Sequence, residues 1–383
     1  MFDVTTVGSW PRSPELLKAL RARQKGAMSR EDFEAIADGE VRACVARQNE
    51  AGVDVVTDGE HRRDNFYSFI TEKVDGTQLM SLAEMLDTVE DKSSFDEMLD
   101  TLDVPASAIK NPTCTARLER REPLAVGELK FVQELTDTPV KVTLPGPYLL
   151  TRSMWVNSFS NKVYGDKTDM GDDVVRILRD ELIELRDAGA AIVQFDEPVL
   201  TEIVMSEDCD RRTFMRATLA TRRDAGAELG YAAELINRVI EGIDGVRTAV
   251  HVCRGNWSRR EDVLLTGDYE KLLPCFEAMN VDQLVLEYAT PRAGDIDVVG
   301  RALSDRQIGL GVVNPRTDDP EPVEQIVTQV ERALEYWKPE QILLNPDCGF
   351  GCFANRCVNE ADAAGRKLDV MVAASRILRK RFA

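Results

Sequence analysis

Histidine is nearly missing from this chain: only His61 and His251 occur in 383 residues, so any histidine ligand must be one of these two. Basic residues are also in deficit, with 48 Lys and Arg against 67 Asp and Glu and a net charge of −19. That balance argues against a nucleic-acid footprint and against docking on an anionic membrane surface, both of which need clustered positive charge. It leaves the substrate open, because a local site can oppose the global field. No apolar run approaches the ~20 residues of a membrane span. The opening Met-Phe-Asp-Val lacks the charged and apolar regions of a secretion signal, so a cytoplasmic protein is expected. Cysteines 44, 114, 209, 253, 275, 348, 352 and 357 are too sparse and irregular for a disulfide framework, which leaves reduced thiols as the default.

What is present is a repeating alternation of short apolar runs and helical patterns. Strand-like runs occupy 4–7, 54–57, 140–144 and 191–195, then a run through His251, one ending at Glu287, one at 308–313 and one ending near Asn345. Helices are expected from Ser29, a capping hydroxyl, to just before Gly52, and over about 172–188, 225–240 and 360–381. Eight such β units in one chain, with no linker-like shift in composition, predict an α/β fold of one domain, a (β/α)8 TIM barrel over 1–383. From about 74 to 124 the pattern gives way to an acidic, irregular stretch, read as an insertion after strand two, over one mouth of the barrel. The chemically rich residues Ser9, Glu60, Gly146, Asp196, His251, Glu287, Asn314 and Cys348 all fall at or just beyond the ends of predicted strands. In a barrel those ends converge on the catalytic face.

Three of these strand ends suggest a metal. In Thr248-Ala-Val-His-Val-Cys253 the histidine and cysteine stand two apart and share one face of a strand. Leu284-Val-Leu-Glu287 and Leu343-Leu-Asn-Pro-Asp-Cys348 finish in further donors. His251, Cys253, Glu287 and Cys348 together give one nitrogen, two sulfurs and one oxygen, a set suited to zinc. A rival set, Cys348, Cys352 and Cys357, lacks the usual knuckle spacing and a fourth local partner, and Cys44, Cys114, Cys209 and Cys275 read as packing residues. Zinc at such a site holds an incoming thiol as thiolate at neutral pH, which points to alkyl transfer onto sulfur.

With these residues in view, the chain resembles the C-terminal catalytic domain of cobalamin-independent methionine synthase over nearly its whole length. Val7-Gly-Ser-Trp-Pro11, Asp58-Gly-Glu60 with Arg63-Asp64, Gln194-Phe-Asp-Glu-Pro198, His251-Val-Cys253, Glu287 and Asn345-Pro-Asp-Cys-Gly349 carry the likeness in the family's order. It implies a zinc-bound homocysteine whose amino-acid part meets Ser9, Glu60 and Asp196, the last two also being the expected catalytic residues. Three departures follow. The extra N-terminal barrel of full-length members is absent from this sequence. Arg316, in Asn314-Pro-Arg-Thr-Asp318, stands where the family has its proposed proton-donating histidine; a guanidinium donates no proton near neutral pH but binds anions bidentately. Trp155 comes a few residues late for pterin stacking, although it and Arg316 remain expected substrate-binding positions.

The expected activity is zinc-dependent methyl transfer to the thiol of homocysteine, forming methionine. The donor is methyl-tetrahydrofolate or, since the proton donor is missing, a methylcorrinoid on a partner protein. The alternatives are a related alkyltransferase acting on another thiol, as in epoxyalkane:coenzyme M transferases, a non-catalytic zinc-binding barrel, and a metal-free lyase resembling uroporphyrinogen decarboxylase.

Overall fold

A computed structural model describes residues 1–81, 84–85, 110–205, 224–256, 258–259, 264–354 and 357–382. Its centre is an all-parallel sheet in the order β1 (Asp3–Val4), β9 (Ile342–Pro346), β8 (Gln307–Val313), β7 (Gln283–Leu286), β6 (Arg247–Val252), β5 (Ile192–Asp196) and β4 (Lys141–Pro145). β4, β5, β7 and β9 are buried at every residue. Helices cover one face and the sheet curls over the other, which is why these strands read as continuous apolar runs rather than as alternating ones. Residues 55 and 56 make single parallel bridges to both edges of the sheet, Val55 to Thr5 and Val56 to Val140. Their backbone bonds are regular: Val56 N–H donates to Pro139 O, and Lys141 N–H to Val56 O, each at 2.9 Å.

The helices follow their caps. Ser29 Oγ accepts from Asp32 N at 3.0 Å to open the helix Arg30–Ala51, and Gly52, at φ +86°, closes it in a left-handed turn that suits glycine. Asp166 caps Lys167–Asp187 and Asp224 caps Ala225–Ile240 in the same way. The last helix, Ala361–Phe382, lies against the N-terminal strand, where Ser375 Oγ donates to Phe2 O at 2.6 Å. No described helix is long and apolar enough to cross a membrane.

The stretch expected to be irregular contains strands at both of its ends. β2 (Val74–Ser81) and β3 (Lys110–Arg120) pair antiparallel as a separate two-stranded sheet, with a register shift between Asp75 and Thr77. Apart from residues 84 and 85, its acidic middle, 82–109, lies outside the described residues.

Within the curl of the main sheet, Val7, Val55, Ile192, Ala249, Val285 and Leu343 form a compact apolar cluster. These side chains come from successive parallel segments of the chain, and Val7 among them also lines the cleft described next.

One buried carboxylate ties the hairpin to this framework. Glu181, wholly buried, accepts from Leu124 N and Ala125 N at 2.6 Å each and pairs with Arg120. It thereby caps the helix Val126–Gln133, whose N-cap residue Ala125 has no capping side chain. Glu181→Ala leaves two buried N–H groups unsatisfied and Arg120 without its buried partner. The expected cost is about 3 kcal/mol, seen as a lower urea midpoint at unchanged m-value. Glu184→Ala, which removes Arg120's exposed partner, is expected to cost under ~1 kcal/mol; equal losses from the two substitutions would refute this account.

Candidate functional site

Parallel register sets the site. Asp196, at the end of β5, pairs with His251 on β6, and His251 pairs with Val285 on β7. His251 Nδ1 lies 3.0 Å from the carbonyl of Val285, and because a carbonyl only accepts, Nδ1 carries the proton. Nε2 is buried with no hydrogen-bond partner at ordinary geometry among the described residues, and although burial works against it, the neighbouring Cys253 and Asp196 raise the imidazole to about 9. Cys253 follows on the same face. Its Sγ lies 3.7 Å from that of Cys348, which the turn after β9 supplies. Ligand atoms of His251, Cys253 and Cys348 all lie within 4.8 Å of one another, and all three residues are buried. The two thiols divide one negative charge: the hydrogen bond between them draws Cys253 below the ordinary thiol range and pushes Cys348 above it.

These residues line one cleft together with Ser9, Glu60 and Asp196. Phe66, Pro198 and Cys352 contribute to its wall. Six of the nine residues expected from the sequence thus meet in one place. Glu60 is delivered by a tight turn: Gly59 sits at φ +73° and Glu60 itself at +55°, a region costly for a residue with a Cβ, and Glu60 N–H donates to Asp58 Oδ1 at 3.0 Å. Its Oε1 accepts from Thr143 Oγ1 at 2.8 Å, while Oε2 is buried with no partner among the described residues. Asp196 Oδ1 accepts from Gln194 Nε2 at 2.8 Å, and burial pushes this carboxyl up to about 7. Ser9 Oγ accepts from Gly351 N at 3.3 Å. Glycine is required across from it, because a Cβ on Gly349 would collide with Ser9 Oγ.

The other three lie elsewhere. Glu287 is wholly buried, but it stands outside the metal-binding group. Its Oε1 pairs with Arg254 at 3.1 Å and Arg292 at 3.3 Å, and its Oε2 accepts from Asn256. Burial alone would raise this carboxyl, yet Arg292 and Arg254 hold it below the ordinary range. Arg316, also buried, donates through Nε to Asn256 Oδ1 at 3.1 Å and so joins the same network. Trp155 donates its indole N–H to Asn157 at 2.7 Å, just past the helix Pro147–Ser153. Of the remaining cysteines, Cys44, Cys114 and Cys275 are buried as packing residues, Cys357 turns toward the carbonyls of Phe353 and Ala354, and Cys209 lies outside the described residues.

Two further groups went unread in the sequence. Arg254 and Asn256 directly follow the His-x-Cys motif and organise Glu287. Lys141 sits inside the wholly buried strand β4, donating to Thr6 O and, at 3.2 Å, to Gln194 Oε1. Gln194 in turn holds Asp196, so a lysine supports the site from beneath. A charge inside an otherwise apolar strand was the available signal.

A family described as "Cobalamin-independent synthase, Catalytic domain" matches residues 2–376. Relatives include the methionine synthase of Pyrococcus abyssi, 31% identical and aligned over 99% of this chain and 94% of that protein. The methionine synthase of Saccharolobus solfataricus is 26% identical over 99% of this chain and 96% of its own length. Among solved structures, the B12-independent methionine synthase from Shewanella sp. W3-18-1 in complex with selenomethionine superposes with a TM-score of 0.74, covering 100% of this chain and 98% of that one at 20% identity.

Burial lowers Lys141 from 10.5 to about 7, against the opposing pull of Asp196 and Glu60. Between these values the folded chain binds fewer protons than the unfolded one, so this group adds stability as pH rises. Unfolding free energy measured across pH 7 to 10 should therefore climb more steeply in the wild type than in Lys141→Met, by up to ~1.4 kcal/mol per pH unit. Parallel pH profiles would show that the lysine is not held in this way.

Proposed function

From the premise that this chain belongs to the cobalamin-independent synthase family, we propose that it is a zinc-dependent methyltransferase that converts homocysteine to methionine. The observation that carries this reading is the trio of His251, Cys253 and Cys348. Two sulfurs bound tetrahedrally at ~2.3 Å from zinc stand ~3.8 Å apart, and Cys253 and Cys348 are separated by 3.7 Å. His251 offers a free Nε2 while its other nitrogen is fixed on a carbonyl, the usual arrangement of a zinc-binding imidazole. These residues fit zinc, which when bound keeps a substrate thiol ionised at neutral pH.

The protein side chains do the rest. Glu60 and Asp196 face the same cleft and suit the α-ammonium group of the amino acid, while Ser9 and the neighbouring backbone suit its carboxylate. Asp196, held near neutrality when the cleft is empty, is drawn to its ionised form by an arriving ammonium group. Homocysteine binding is then coupled to release of a proton.

The same reading makes the fold one (β/α)8 barrel over 1–383, with 55–56 as its second strand and about 74–124 as an insertion; the two parallel bridges of Val55 and Val56 support it. For the donor we favour a methylcorrinoid on a partner protein over methyl-tetrahydrofolate. Arg316 supplies no acid to protonate a folate nitrogen, and Trp155 is tied to Asn157. The alternative of a sulfonate-bearing thiol needs Arg316 at the cleft, whereas its Nε donates to Asn256.

Zinc-loaded protein mixed with homocysteine and either donor should yield methionine, faster with methylcobalamin. Undiminished turnover after chelation would sink the zinc reading, and preference for the folate would sink the donor reading. Asp196→Asn and Glu60→Gln should each raise KM for homocysteine about 10-fold or more, as loss of a charged hydrogen bond implies. Unchanged KM in both would remove them from the substrate site.

A further inference from the structure

Three of the segments that wall the cleft lie far apart in the chain: the loop after β1 carries Ser9, the turn at 58–64 carries Glu60, and the turn after β9 carries Cys348. A single side chain bonds across all three. Ser13 caps the helix Pro14–Gln24 by accepting from Leu16 N at 3.1 Å, and Arg12 directly precedes that cap. From its place on the Ser9 loop the buried Arg12 donates through Nη1 to Gly351 O, and through Nη2 to Glu60 O at 2.7 Å and to Arg63 O at 2.8 Å.

This use of a guanidinium is unlike that of the other buried arginines near the site. Arg63 and Arg254 pair with Glu128 and Glu287, whereas Arg12 forms no ion pair among the described residues, although its charge reaches Asp64. Burying a cation without bonding it to a carboxylate is costly, so its return must be sought in geometry. The planar fork of donors holds its acceptors at fixed spacing. One acceptor is strained: Glu60 lies at φ +55°, and its carbonyl takes a second bond from Arg63 N at 3.0 Å. Such a conformation persists where the surroundings over-determine it. The same loops are stitched by Trp10 N donating to Gly59 O at 2.9 Å, Phe350 N to Ser9 O at 3.0 Å and Ala354 N to Asp64 O at 2.8 Å.

We infer that Arg12 is a positioning residue: it sets the spacing of Ser9, Glu60 and the Cys348 turn by clamping the backbones that carry them, and it acts on a ligand only through those residues. Lysine does not replace it, because one ammonium on a flexible stem cannot span carbonyls of separate loops in a fixed plane. The clamp stands on the geometry alone. Its effect on affinity rests on the homocysteine reading above.

Hydrogen exchange of the full chain, read by mass spectrometry, tests the clamp without reference to turnover. In Arg12→Lys the peptides holding the amides of Trp10, Arg63, Phe350 and Ala354 should exchange together, about 10-fold or more faster than in the wild type, while those of β6 and β7 keep their protection. Acceleration in one loop alone, or across the whole sheet, would overturn the assignment. Calorimetric affinity for homocysteine should also fall about 10-fold or more in Arg12→Lys, as for displaced binding groups, and the same change made on Glu60→Gln should cost much less. Equal losses in both backgrounds would make Arg12 a general stability residue instead. A wild type that binds no homocysteine would sink the substrate reading, and the exchange pattern would then decide the clamp by itself. Arg12→Gln serves where Arg12→Lys does not fold, and if neither folds the assignment falls.

Discussion

The bond between His251 Nδ1 and the carbonyl of Val285 is the constraint on which the rest of the site depends. It exists because β6 and β7 run parallel with His251 opposite Val285, and the same register places Asp196 opposite His251 on the other side. One backbone acceptor thereby fixes the tautomer, the ring orientation and the direction of the free nitrogen. A slip of one residue would turn His251 and Cys253 together onto the other face of the sheet. Sheet pairing thus fixes His251 and Asp196, and the turns beyond the strand ends add Cys348, Glu60 and Ser9.

Around that bond the interior is unusually charged for a core. Arg63 pairs with Glu128 at 2.6 Å and also donates to Thr143, whose hydroxyl holds Glu60. Lys141 holds Gln194, and Gln194 holds Asp196. Asp347 accepts from Tyr288 N and Ala289 N at 2.8 Å each and is pushed by burial up to about 7. Glu60 is thus backed by the Arg63 guanidinium through Thr143, and Asp196 by the Lys141 amine through Gln194. Such networks add little net stability compared with apolar packing, but they hold acidic groups in fixed positions where water is scarce.

Much of this was legible in the sequence. Seven of the eight expected strand runs are sheet strands, the helix after Ser29 begins where that cap places it, and the helix Ala225–Ile240 spans its expected range. Periodicity and capping are local, so sequence carries them. The run at 54–57 was legible as apolar yet appears only as two bridges, and the hairpin of β2 and β3 went unforeseen because its side chains are mixed in exposure rather than cleanly alternating. Six site residues converge because strand ends converge. Glu287 was named for its position at such an end, but whether a carboxylate faces a metal or a guanidinium depends on which cations arrive from elsewhere. Arg254 comes from the loop after β6 and Arg292 from the turn after β7, a meeting that no spacing rule encodes.

The turn after β9 packs so closely on the first loop that Gly351 approaches the backbone of Trp10 and Gly349 approaches Ser9. Cys348 therefore takes its place against residues translated more than three hundred positions earlier. His251 and Cys253 lie some ninety residues before Cys348 and more than two hundred after Ser9, so their meeting is among the least local contacts of the fold. Such contacts form only after the intervening chain has been ordered, which makes the cleft a late product of folding rather than a seed for it.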